Sequence, residues 1–164
     1  ALYELAQYYI VLKQNERGTA TMAEAVKYAP DNYWYAQGLA NLYVQQNKLD
    51  EAAELLEDMA KRFPSKIDVT YSLLQVYGRQ AKFDKSIELL DKLEVRFGKN
   101  EQISMQKFAI YDQQGENDKA MAELKSLADE FPTDYRYQVI LGDAYMQKEK
   151  YQQAYELLTG NPIE

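Results

Sequence analysis

Apolar side chains recur along this chain at intervals of three and four, the spacing of one face of a helix. Leu2, Leu5, Ala6 and Tyr9 form such a stripe over residues 1 to 12, and Met22, Ala25 and Val26 form another over 16 to 28. Only Lys13 to Asn15 separates the two, so the helices must turn back and pack antiparallel. The plan then repeats, with first helices expected near 33 to 46, 67 to 80 and 101 to 114, and second helices near 50 to 62, 84 to 97 and 118 to 131. In the last copy the second helix should open near Gln152, and Gly160, Asn161 and Pro162 should end it early. A helical hairpin cannot hide its own apolar faces, and stacking copies side by side is the solution the pattern implies.

The period is 34 residues. Tyr9, Tyr43, Tyr77, Tyr111 and Tyr145 are each one period apart. Nine residues after each tyrosine the side chain is small, in Gly18, Ala52, Ser86, Ala120 and Ala154. Four residues further on it is large and aliphatic, in Met22, Leu56, Leu90, Leu124 and Leu158. A small residue lets two helices approach, and the large one fills the space beside it. Pro30, Pro64 and Pro132 share a slot with Gly98, and each ends a helix. Phe63, Phe97 and Phe131 precede those stops and are expected to wedge between neighbouring hairpins. Asp31, Ser65 and Thr133 are expected to cap the first helices, and Asp50, Asp84 and Asp118 to open the second ones. Glu57 with Lys61, Asp58 with Arg62 and Glu88 with Lys92 are four apart on the outer face and predict weak surface ion pairs.

These residues resemble the tetratricopeptide repeat, whose pattern is W-x2-L-G-x2-Y, then A-x3-F, then P, in 34 residues. Leu141, Gly142, Tyr145, Ala154 and Leu158 follow its middle, and so do Leu39, Ala40, Tyr43, Ala52, Leu56 and Pro64. The first motif position never holds Trp, and the fourth repeat carries Lys107 in place of the motif leucine. The resemblance covers essentially the whole chain. It implies an all-α fold, an α-α superhelix: a right-handed solenoid of stacked antiparallel helix pairs with about five repeats, at 1–32, 33–66, 67–100, 101–134 and 135–164. The end repeats are incomplete, so the chain reads as a piece of a longer protein. The early stop in the last repeat reads either as a natural terminus of the array or as a chain that continues beyond Glu164 with altered geometry.

Composition narrows the function. With 26 acidic and 19 basic side chains the net charge is −7, which disfavours nucleic acid and anionic lipid as partners. The longest run of apolar and aromatic residues, Tyr8 to Leu12, is far too short to insert in a membrane. There is no Cys, hence no disulfide and no thiolate metal site. There is no His to move protons near neutral pH, no phosphate-binding glycine loop and no metal-ligand spacing, so neither an enzyme nor a cofactor is expected. Gly98-Lys99 lacks the rest of a phosphate-binding loop and reads as a helix stop. The acidic group Glu54, Glu57 and Asp58 reads as a hydrated face. Arrays rich in Tyr and Gln fit the cytoplasm or a bacterial envelope.

Protein binding is the function that the resemblance implies. In this family the concave groove is lined by the second, fifth, ninth, twelfth and thirteenth positions of the repeat. Here the second positions are Trp34, Asp68, Gln102 and Arg136; the fifth are Tyr3, Gln37, Tyr71, Met105 and Val139; the ninth are Gln7, Asn41, Gln75, Ala109 and Asp143. The candidate peptide-binding set is Tyr3, Gln7, Trp34, Gln37, Asn41, Tyr71 and Gln75, in which rings offer apolar pockets and carboxamides both donate to and accept from a peptide backbone. The family's carboxylate clamp is disfavoured, because no lysine holds a second or fifth position. The expected partner is a peptide segment or helix of another protein. The alternative is a structural spacer, or a scaffold that self-associates as a homo-oligomer through apolar end faces.

Overall fold

A computed structural model describes residues 1–160 of the chain. Ten α-helices run through it with no strand among the described residues: α1 (Leu2–Val11), α2 (Asn15–Tyr28), α3 (Tyr33–Gln45), α4 (Leu49–Arg62), α5 (Ile67–Arg79), α6 (Phe83–Phe97), α7 (Glu101–Gln113), α8 (Asn117–Glu130), α9 (Tyr135–Gln147) and α10 (Tyr151–Thr159). The fold is an all-α helical-repeat solenoid. The chain divides into two compact units, residues 1–86 and 87–164.

The tyrosine series marks a backbone device. In every hairpin the first helix ends in the same double hydrogen bond. The carbonyls of Tyr9, Tyr43, Tyr77, Tyr111 and Tyr145 accept from the N–H five residues on, at 2.8 to 2.9 Å. One residue earlier, the N–H groups of Lys13, Asn47, Ala81, Gly115 and Glu149 close on the carbonyls three residues back. This pairing satisfies orphan carbonyls at the helix end and requires one residue in the left-handed region. The turn residues have φ values of 58°, 58°, 52°, 74° and 58° in chain order, and only one of the five is glycine.

That turn corrects one expectation. Asp50 and Asp118 do not cap their helices. The N-cap residues are Lys48 and Glu116, which make no side-chain cap bond, and the aspartates are the second residues of their helices, in the first turn, where the helix dipole still favours them. The left-handed turn delivers the chain straight into the second helix and leaves no separate capping residue. Asp84 likewise falls inside α6, in its first turn. Asp50 is used sideways instead, accepting from Gln80 Nε2 at 2.8 Å.

Caps of the first helices are likewise one residue later than Asp31, Ser65 and Thr133. Asn32 accepts from the N–H groups of Trp34 and Tyr35, Asn100 from Ile103, and Asp134 from Arg136. Lys66 holds the equivalent place without a side-chain bond. The reason is the proline. Asn32, Lys66 and Asp134 each donate to the carbonyl three residues back, closing a turn around Pro30, Pro64 and Pro132 in which the expected cap residue is consumed as the third member.

Packing follows the small-and-large pairs. Gly18, Ala52, Ser86, Ala120 and Ala154 are all buried, and so are Met22, Leu56, Leu90 and Leu124. Leu158 departs from its series and is 57% exposed, although its side chain lies against Gly142. At Gly18 a β-carbon would stand 2.8 Å from Ile10 Cγ1 and 3.2 Å from the Ala6 carbonyl, so only glycine permits the approach of α1 and α2. The N-terminal unit has a core of Ala6, Met22, Leu39 and Leu42, and the C-terminal unit one built on Met121, Leu124, Leu127 and Leu141. Each of these Met and Leu side chains contributes about 1.5–3 kcal/mol on burial.

The phenylalanines do not act alike. Phe63 stacks edge-on against Tyr33 at 5.5 Å, and Phe131 leans on Tyr137 at 5.5 Å, but Phe97 is 54% exposed and carries the Arg96 guanidinium over its ring. Of the surface ion pairs, Asp58 with Arg62 and Glu88 with Lys92 form. Glu57 turns away from Lys61 to Lys85, at 2.9 Å, and to the Tyr77 hydroxyl, because the neighbouring hairpin offers it a bond that its own helix does not. α10 ends at Thr159 with Gly160 left-handed, as expected; Asn161 and Pro162 lie outside the described residues.

Candidate functional site

All seven candidate groove residues fall in the N-terminal unit, on the first helices α1, α3 and α5. Helical periodicity puts positions two, five and nine of each first helix on one side of it. Trp34 is 70% exposed and Tyr71 40%, while Gln7, Asn41 and Gln75 are exposed carboxamides. Gln37 is half-buried and donates through Nε2 to Asn41 Oδ1 at 3.3 Å. Tyr3 is also half-buried, with its ring stacked on Tyr35 at 5.2 Å, so part of its surface is spent on packing α1 against α3.

Asn41 and Gln75 share a cavity of about 170 Å³ between α3, α4 and α5. Its apolar lining is Ala40, Val44 and Leu56, and its polar lining is Ser72 with the carboxamides of Asn41, Gln45 and Gln75. An apolar cavity of ~150 Å³ holds a benzene ring, so the space admits one apolar side chain. Trp34, Gln37, Tyr71, Tyr3 and Gln7 are not part of that cavity's wall.

The opening of α3 carries a cluster that the sequence did not single out. The Tyr33 hydroxyl donates to the Asp68 carboxylate, and its oxygen lies 3.2 Å from Gln37 Oε1. Burial, and then the Asp68 carboxylate, pushes the Tyr33 phenol up to about 12. The Lys66 ammonium sits 4.9 Å from the centroid of the Tyr33 ring and 5.9 Å from that of Trp34, and the two rings meet edge-on at 5.1 Å. The face therefore has a cation after all, held against rings from outside the second and fifth positions. Its trace in the sequence is slight: Tyr33 and Asp68 are one period plus one apart.

The equivalent positions of the C-terminal unit are plainer. Gln102, Ala109, Arg136, Val139 and Asp143 are exposed and Met105 is half-buried, with the Arg136 guanidinium tied back to Asp134 at 2.7 Å. No group of His, Cys, Asp and Glu among the described residues has the geometry to hold a metal ion. No described helix is long and apolar enough to cross a membrane.

Comparison with known proteins agrees with this architecture. A sequence search among curated proteins returned no match. Among solved structures, a MamA from Desulfovibrio magneticus is 13% identical over 97% of this chain and 90% of its own, with a TM-score of 0.63. YrrB, described as a TPR protein with an unusual peptide-binding site, is 18% identical over 96% of this chain and 81% of its own, with a TM-score of 0.59. A tetratricopeptide repeat protein from Parabacteroides merdae is 15% identical over 97% of this chain and 62% of its own, with a TM-score of 0.61. At these identities the likeness is one of fold. Sequence models of the tetratricopeptide repeat match residues 12–69 and 108–159, together more than half of the chain. With that match added to the ten paired helices and the 34-residue period, the chain belongs to the tetratricopeptide-repeat family, whose members act as protein-interaction modules.

Proposed function

We propose that this chain is a non-catalytic adaptor that binds an extended peptide or a helix of a partner protein along the first helices of its N-terminal unit. Trp34, Tyr71 and Tyr3 offer rings to apolar side chains, and Gln7, Gln37, Asn41 and Gln75 offer carboxamides to a peptide backbone. The observation that carries the reading is Trp34. An indole left 70% exposed beside a second ring and a lysine has surface that folding did not use, and Trp is among the residues that dominate binding interfaces. The cavity shared by Asn41 and Gln75 adds a place for one anchoring side chain. Such a partner is a protein, since the net charge of −7 repels nucleic acid.

Trp34 is the single tryptophan of the sequence, which makes the test direct. Peptides selected from a random displayed library against the whole chain are expected to shift its fluorescence on titration, and to lose affinity for a Trp34→Ala, Tyr71→Ala, Asn41→Ala triple variant that keeps its helical circular dichroism. Selected peptides that leave the indole unperturbed and bind the variant equally well sink the proposal.

A second reading, self-association, is favoured by α1. Leu5, Tyr8 and Leu12 are exposed there, whereas Leu39 and Leu42, one period on from Leu5 and Tyr8, are buried. Light scattering that finds only monomer at high concentration removes it.

A further inference from the structure

Lys107 occupies the motif position held elsewhere by Leu39, Leu73 and Leu141, and it is buried as they are. Its ammonium meets Asp91 Oδ1 at 2.6 Å and the Glu94 carboxylate. Glu94 also holds the Lys99 ammonium at 2.5 Å, Lys99 reaches Glu123 at 2.8 Å, and Glu123 accepts from Ser104 Oγ at 2.8 Å. The exchange is concerted. Glu94 stands where other repeats have Val26, Ala60 and Ala128, and Glu123 where the first has Thr21 and the rest have Leu55, Leu89 and Leu157. The network lies wholly within the C-terminal unit, links α6, α7 and α8, and has no part in the face proposed above.

Stability does not account for it. Burying charges is costly, and packed apolar residues of similar volume are commonly as stable or more so. The chain itself uses that apolar solution in its other repeats. What a buried ion pair adds is discrimination, because separating its members strands a charge. In a repeat array the second helices carry interchangeable small and aliphatic residues. Laid on α2 or α8, α7 would bury Lys107 against Val26 or Ala128 with no carboxylate in the place of Glu94 or Asp91. Laid on α4 it would meet Ala60 and keep only Glu57, which stands in the place of Asp91, and a different first helix laid on α6 would set a leucine against Glu94. We propose that the Lys107–Glu94 network is a register key: α6 with α7 is the one pairing in which the buried Lys107 keeps both its carboxylates, and this disfavours exchange of repeats within or between chains during folding. The charges persist at neutral pH. Burial opposes ionisation of all three groups, but pairing outweighs it, holding Glu94 below and Lys99 and Lys107 above their ordinary values.

The test is the double variant Lys107→Leu, Glu94→Ala, which installs residues the chain uses elsewhere and leaves Lys99 paired with Glu123. Whole chains are unfolded in guanidinium, refolded by dilution at low and high protein concentration, and sized by light scattering. The parent is expected to return to its starting species at both concentrations. The double variant is expected to regain its helical signal and to unfold at no lower denaturant concentration, yet to return as a mixture in which exchanged dimers and larger species grow with concentration. A single Lys107→Leu variant should unfold at lower denaturant than either. A double variant that refolds as cleanly as the parent overturns the proposal. So does one that fails to fold or unfolds at lower denaturant, since the network would then hold the unit together rather than choose its pairing.

Discussion

Lys13, Asn47, Ala81 and Glu149 are forced into left-handed backbone by a turn built for glycine. A β-carbon there crowds the following carbonyl, at roughly 1 kcal/mol or more per residue. Ala81→Gly is therefore expected to stabilise the chain by about 0.5–1 kcal/mol, and Gly115→Ala to destabilise it by about 1 kcal/mol, in denaturant titrations. Equal effects of opposite expectation, or none, would show that the turns relax at little cost. Gly18 answers to a different constraint, the contact of α1 with α2. Gly18→Ala gains helix propensity but drives a methyl into Ile10 and the Ala6 carbonyl, and a net loss of about 1–2 kcal/mol is expected.

Between elements, phenol–carboxylate bonds tie one hairpin to the next. Tyr33 on α3 donates to Asp68 on α5, and Tyr77 on α5 donates to Glu57 on α4. Burial first, then the carboxylate, pushes both phenols from 10.0 to about 12. A phenol whose folded value lies above its unfolded one contributes stability that is fully present below pH 10 and is lost as pH rises through 12. Ultraviolet titration should find Tyr33 and Tyr77 among the late-ionising tyrosines, and denaturant stability should fall across that window. In the Tyr33→Phe, Tyr77→Phe variant the fall should be shallower; an unchanged slope would place the alkaline loss elsewhere. Glu57 is the acid counterpart. Its bonds from Tyr77 and then Lys85 lower it below 4.5, so its contribution is present above that value and fades as pH falls.

At the scale of the whole molecule, repeat proteins are held by nearest-neighbour contacts, so damage in one region need not be felt in another. Trp34 reports on the N-terminal unit alone, whereas helical circular dichroism reports on both. Glu94→Ala takes from the buried Lys107 one of the two carboxylates it bonds, leaving the exposed Asp91, and is expected to cost about 3 kcal/mol. The dichroism transition should broaden and begin at lower denaturant while the Trp34 transition moves little. Coincident shifts by both probes would mean that the units unfold as one.

The order of helices, their lengths to within two residues and their close contacts were legible in the sequence, because each rests on local rules that recur every 34 residues. Apolar spacing names a helix face, Pro30, Pro64 and Pro132 end helices whatever surrounds them, and Gly18 through Ala154 mark where backbones approach. Tertiary structure decided what depends on partners far apart in the chain. It moved the caps from Asp31, Ser65 and Thr133 to the next residue by closing a proline turn, took Glu57 from Lys61 to Tyr77 and Lys85, and brought Lys66 over Tyr33 and Trp34. It also turned Lys107, a departure from the motif when read alone, into the centre of a network in which Glu94 and Glu123 depart from the repeat as well. A one-dimensional pattern records which faces are apolar; which polar groups meet across them is set by distances that exist only once the helices are stacked.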